Sequence, residues 1–98
     1  MYRTEYLPSA LADILEIENN LFELNANASD KFTEAITEHA ETLTEHPLLY
    51  QIYEDNNYFR SMPLPYGYRL FYHVDENAKV IKVHKVLHGM RDLGNMKY

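Results

Sequence analysis

Residues 9–46 read SALADILEIENNLFELNANASDKFTEAITEHAETLTEH, and this stretch decides the fold. Leu11, Ile14, Leu15, Leu21 and Phe22 recur at helical spacing, with Ile17 and Leu24 widening the stripe. Ser9 follows Pro8 as an N-cap, and Asp13 lies near the positive end of the helix dipole. The helix is expected to end near Asn25-Ala26-Asn27, where asparagine tolerates left-handed backbone. Ser29 caps a second helix by the same logic. Phe32, Ile36, Ala40 and Leu43 share one of its faces, while Glu34, Glu38, Glu41 and Glu45 spread around the rest. Pro47 ends it, because the residue before proline avoids the helical region. The short link predicts an antiparallel helical hairpin over roughly 9–25 and 29–46.

Both flanks of the hairpin have β texture. Before it, Tyr2, Thr4 and Tyr6 alternate with Arg3 and Glu5 in a strand from Tyr2 to Leu7 that Pro8 stops. After it, residues 48–57 fit no single element: Leu48, Leu49, Tyr50, Ile52 and Tyr53 are apolar, yet Glu54 to Asn57 reads as a loop. Tyr58 to Met62 reads as a strand, and Pro63 to Gly67 as a turn in which Gly67 can take positive φ. Tyr68 to Val74 is a strand rich in aromatic and branched residues. Asp75 to Ala78 turns the chain. Lys79 to His88 is the last strand, and its alternation slips at Val86-Leu87, the mark of a bulge. The order is β-α-α-β-β-β. Segregated strands and helices imply one α+β domain over residues 1–98, with the helical hairpin packed on one face of a mainly antiparallel four-stranded sheet. Leu11, Ile14, Leu15, Phe32, Ile36 and Leu43 are expected to meet that face.

Composition narrows the function. The chain has 98 residues, 46% hydrophobic and 24% charged, which suits a globular domain with a modest core. It lacks cysteine, so disulfides and thiolate metal sites are excluded and a reducing compartment is the simplest setting. No signal peptide is visible behind Met1-Tyr2-Arg3-Thr4-Glu5, and no run approaches a membrane span. A cytoplasmic protein with no membrane partner is expected. The net charge of −6 is split: residues 1–57 hold twelve acids against two cations, and residues 58–98 hold seven cations against three acids. The second half can therefore meet an anionic partner, although helices favouring Glu and surface strands favouring Lys produce the same asymmetry.

Three pieces of sequence, in this order, resemble the RelE/ParE toxin superfamily. Tyr6-Leu7-Pro8-Ser9-Ala10-Leu11-Ala12-Asp13-Ile14 looks like the family's strand-to-helix start. Tyr68-Arg69-Leu70-Phe71-Tyr72-His73-Val74-Asp75 looks like its central strand. Val86-Leu87-His88-Gly89-Met90-Arg91-Asp92-Leu93 resembles the VLHGxRD ending of ParE-like members. The resemblance covers nearly the whole chain. It implies the toxin of a type II toxin–antitoxin system, of the kind that stabilises plasmids, which a cognate antitoxin protein wraps and silences. It implies two candidate activities. RelE-like members are mRNA interferases, metal-free endoribonucleases that cleave messenger RNA in the ribosome. ParE-like members inhibit DNA gyrase by binding it. A detoxified relative that keeps only antitoxin binding is the third reading.

A metal-free ribonuclease needs a base, an acid and fixed cations around one phosphate. Histidine suits the proton transfers and arginine the phosphate. Arg69, Phe71 and His73 alternate onto one sheet face, Lys82 and His84 share a face of the last strand, and His88 with Arg91 follows at its end. On this reading Arg69, His88 and Arg91 are the catalytic candidates. Arg60, Phe71, His73, Lys82, His84 and Lys85 are the candidates for binding RNA or a partner. Five of them have a plainer alternative. Arg69 can be a solubilising charge, His88 a structural residue closing a strand, and Arg91-Asp92 a local ion pair; His73 and His84 can be ordinary sheet-surface residues. The five histidines show no metal-ligand spacing, so no metal or other cofactor is expected. RelE-like nucleases also carry lysines between the second helix and the central strand, whereas residues 46–58 here contain neither Lys nor Arg. The nearest equivalents of their late basic residue and late tyrosine are His88 and Tyr98.

Overall fold

The structure is a computed structural model that describes residues 1–54 and 56–88. Strand β1 (Arg3–Tyr6) leads into helix α1 (Pro8–Leu24) and helix α2 (Ala26–Glu45). Strand β2 (Arg60–Pro63), a single 3-10 turn (Pro65–Gly67), strand β3 (Tyr68–Asp75) and strand β4 (Val80–His88) complete the fold. The sheet order is β1-β4-β3-β2, with β1 parallel to β4 and the other pairs antiparallel. The helices cover one face, so the expected α+β architecture holds. Their shared core joins Ala10, Ile17, Leu21, Phe32, Ile36 and Leu43 to Met62, Leu70, Tyr72, Ile81, Val83 and Val86 from the sheet.

The buried stripe of α1 differs from the expected one. Ala10, Ile14, Ile17 and Leu21, at spacings of four and three, meet the core. Leu11 and Leu15, one position round the helix, are 49% and 61% exposed. The rotation is set where the helix starts: Leu7 N–H donates to the Val83 carbonyl, and Asp13 accepts from Val86 N–H. A stripe this wide leaves the choice between its two edges to tertiary contacts. The caps differ too. Leu7 is the N-cap of α1, with Pro8 at the first helical position. Asp13 therefore lies beyond the first turn. Ser9 instead donates to the His84 carbonyl at 2.7 Å. Asn25 is the whole link between the helices. Its backbone is extended (φ −168°), and its side chain caps α2 by accepting from Asn27 N–H. Ser29 lies inside α2 and donates to the Glu18 carbonyl across the hairpin.

Gly67 takes positive φ (82°), as its turn requires, and Tyr66 beside it shares that region (φ 66°). The bulge exists but sits earlier than Val86-Leu87. Phe71 pairs with Lys85 and Tyr72 with Val83, so His84 is the extra residue. Tyr58 and Phe59, expected to open the strand, lie before β2, and residues around the stretch left unassigned at 48–57 supply bonds to the sheet. Tyr72 donates its hydroxyl to the Pro47 carbonyl, and burial pushes this phenol up to about 12, which keeps the proton for that bond. Arg60 donates to the Tyr50 carbonyl, and Ser61 N–H to the Gln51 carbonyl. Ile52 forms a bridge with Arg60 along the outer edge of β2, which covers an otherwise open strand edge.

Candidate functional site

The sheet face away from the helices gathers five of the nine residues singled out from the sequence. Arg69, Phe71 and His73 alternate onto it from β3, and Lys82 and His84 join them from β4. They are not equally available. Phe71, a candidate for binding RNA or a partner, is fully buried. Tyr53 packs edge-on against it at 5.3 Å and Phe59 at 6.4 Å, so the segment after α2 closes over it. Arg69 spends its guanidinium on a neighbour: Nε and Nη2 both donate to Ser61 Oγ, at 3.3 and 2.9 Å. Ser61 is the one buried polar residue among those described. Lys82 lies 3.8 Å from Asp75. Hydrogen bonds from Ala78 N–H, foremost, hold the Asp75 carboxyl below its ordinary range.

Two histidines flank Tyr58. The His73 ring stacks on it with centroids 3.9 Å apart and planes 11° from parallel. Its Nδ1 lies 3.1 Å from the Tyr58 carbonyl, which fixes that nitrogen as a donor. His84 meets Tyr58 at 5.7 Å and Phe59 at 5.1 Å, both edge-on. Its Nε2 is buried with no hydrogen-bond partner among the described residues. Burial above all, then His73 and Lys82, lowers the affinity of this ring for a proton.

The remaining candidates lie elsewhere. Arg60 is the tie to Tyr50 already described. Lys85 points back to α1 and pairs with Asp13 at 3.3 Å. His88 pairs in register with Tyr68, whose ring it meets edge-on at 5.2 Å, and Tyr68 packs against Phe32 of α2. His88 is therefore on the helix side of the sheet, opposite Arg69. There it lines a groove of about 400 Å³ between α1 and β4, with Asp13, Glu16, Ile17, Asn20 and Val86. Gly67 gives it room, since a Cβ there would come within 3.0 Å of His88 Nε2. Arg91 and the rest of the Gly89–Leu93 ending lie outside the described residues. Sequence reasoning missed Ser61, Tyr58 and the second role of Asp13. A serine in a short strand and a tyrosine after Asn56-Asn57 carry no pattern that announces their partners.

The ParE toxin model, described as the toxin of type II toxin–antitoxin system parDE, matches residues 4–93. The chain belongs to the ParE toxin family. Solved structures share its fold. A chromosomal ParDE toxin–antitoxin system from P. aeruginosa aligns with a TM-score of 0.72 at 17% identity, covering 90% of this chain and 96% of that one. The RelBE2 complex from Mycobacterium tuberculosis gives 0.60 at 20% identity, covering 89% and 96%. The intact E. coli RelBE complex gives 0.61 at 19% identity, covering 93% and 100%. No curated protein sequence matches the chain. This ParE-family toxin thus shares its fold with the solved ParDE and RelBE structures. Among the described residues, no helix is long and apolar enough to cross a membrane.

Proposed function

We propose that this ParE-family toxin arrests growth by binding DNA gyrase, and that a cognate antitoxin covers it until release. One placement carries the choice of target. Arg69 and His88, the best phosphate holder and the best proton-transfer group, sit on opposite faces of the sheet. General acid–base cleavage needs both at one phosphate. That separation supports a toxin acting through a surface. The second reading, mRNA cleavage on the ribosome, draws on the far face, where Arg69, Lys82 and His73 surround aromatic rings. Purified toxin is expected to abolish gyrase supercoiling and to leave messenger RNA intact on programmed ribosomes. Cleavage that falls by about 10²–10³ in Arg69→Ala would install the second reading instead. Inactivity in both assays, with antitoxin binding retained, would identify a detoxified relative.

The antitoxin is expected to dock on α1. Leu11, Leu15 and Phe22 lie along one side of it at 49%, 61% and 64% exposure, across the helix from Asp13, Glu16 and Asn20, which line the α1–β4 groove. An exposed apolar stripe of this kind suits an amphipathic segment. Leu15→Asp should weaken antitoxin binding about 30-fold, the effect of losing one hot-spot residue worth ~2 kcal/mol. Folding stability should stay within about 0.5 kcal/mol, because the position is solvated. Calorimetric titration with the product of the adjacent gene provides the measurement. Unchanged affinity would remove this side of α1 from the interface.

A further inference from the structure

We propose that His84 is a pH-sensitive pin, which seats Tyr58 and Phe59 on the sheet when neutral and releases them when protonated. The geometry begins with the bulge. His84 is the unpaired residue of β4, and the register shift turns its ring onto the face away from the helices. The bulge is clamped from the helix side. Ser9 Oγ donates to the His84 carbonyl at 2.7 Å, and Asp13 accepts from Val86 N–H at 3.0 Å while pairing with Lys85. The ring therefore cannot swing away by moving its backbone without breaking contacts to α1. What can yield is the turn above it, residues 56–59, where Phe59 N–H donates to the Asn56 carbonyl and Tyr58 N–H to Asn56 Oδ1, and where the Phe59 and Tyr58 carbonyls accept from Tyr53 N–H and His73 Nδ1.

The surroundings favour a neutral ring. Nε2 is enclosed without an acceptor among the described residues, so a proton placed there gains no hydrogen bond. The turn presents the rings of Tyr58 and Phe59. From β3 comes His73, whose Nδ1–H donates to Tyr58. From β4 come Lys82, already paired with Asp75 of β3, and Lys85, already paired with Asp13 of α1. From β1 the nearest charge in register is Glu5, opposite Lys82 and within 3.8 Å of Arg3. Asp55 lies outside the described residues. Asp75, Asp13 and Glu5 thus each have a cation, and His73 and Lys82 both repel a charge on His84.

The direction follows. Burial holds the proton affinity of the seated ring below the ordinary imidazole value of 6.5, so the seated state binds fewer protons than the released one. The stabilisation is complete above 6.5 and is lost as pH falls through the seated value. Between the two values the released fraction grows about tenfold per pH unit, then levels off.

The test is an NMR titration of the intact chain from pH 8 to pH 5. It follows the His84 ring and the exchange of the Tyr53, Tyr58 and Phe59 amides, corrected for intrinsic rate. His84 should titrate below 6.5, and the three amides should lose protection over the same window. His84→Phe, which keeps an edge-on ring without a titrating nitrogen, should abolish that loss. Lys82→Met should move the His84 midpoint upward. Titration at or above 6.5, or unchanged amide behaviour in His84→Phe, would overturn the proposal. If His84→Phe does not fold, the native chain decides: amides that keep their protection while His84 titrates overturn it.

Discussion

Phe71→Ala is expected to remove about 3–5 kcal/mol of folding stability, the usual cost of truncating a buried phenylalanine. The ring has no exposed surface and lies beneath Tyr53 and Phe59, with Leu87 packed beside them. Its loss opens a cavity that the short β2 strand and the turn of residues 56–59 cannot fill without giving up their hydrogen bonds. A domain of this size has a total margin of about 5–15 kcal/mol, so the loss takes from about a fifth of it to all of it. Phe71→Leu keeps most of the volume and should cost less than about 1.5 kcal/mol. Urea denaturation measures both. The experiment separates packing from recognition at a position that alternation alone placed among the binding candidates. A cost under about 0.5 kcal/mol for the alanine variant would mean that the ring works at the surface after all.

Phe71 also marks where sequence reading stops. The strand containing it was plain from its aromatic and branched residues, and so was the order β-α-α-β-β-β. Alternation told which residues share a face, and Arg69, Phe71 and His73 do share one. It could not tell what covers that face, because the cover comes from residues 47–59, whose apolar and polar residues follow no period. The same gap explains α1. A seven-residue apolar set spans too wide an arc to name its buried edge, and the choice fell to Leu7 and Asp13 through bonds to β4. His88 shows a further limit. One residue along β4 moves a side chain through the sheet, and the bulge at His84 shifts every later residue by that step. A slip in the alternation was visible, but its position was not, so Arg69 and His88 could be assigned to one site from sequence while the fold separates them.

Asp13→Ala should cost about 2–3 kcal/mol, more than a surface ion pair explains. Its carboxylate, mostly shielded, accepts from Val86 N–H at 3.0 Å and pairs with Lys85 at 3.3 Å. A hydrogen bond to a charged group contributes about 1.5–3 kcal/mol, and a buried N–H left without an acceptor costs about 1–3 kcal/mol. The Lys85 contact adds little by itself, since exposed pairs are worth about 0–1 kcal/mol. Asp13→Asn divides the two effects. Its side-chain oxygen can still accept from Val86, so only the charge is lost, and the cost should stay near 1 kcal/mol or below. Lys85→Met in the native and Asp13→Asn backgrounds completes a double-mutant cycle, with an expected coupling under about 1 kcal/mol. Equal losses in Asp13→Ala and Asp13→Asn would assign the stabilisation to charge and remove the backbone clasp. The clasp matters for function because Asp13 and Val86 both line the α1–β4 groove, while the bulge between Val83 and Lys85 presents His84 to the opposite face. Loosening it should therefore raise amide exchange at Val86 on the helix side and at Phe59 on the far side together.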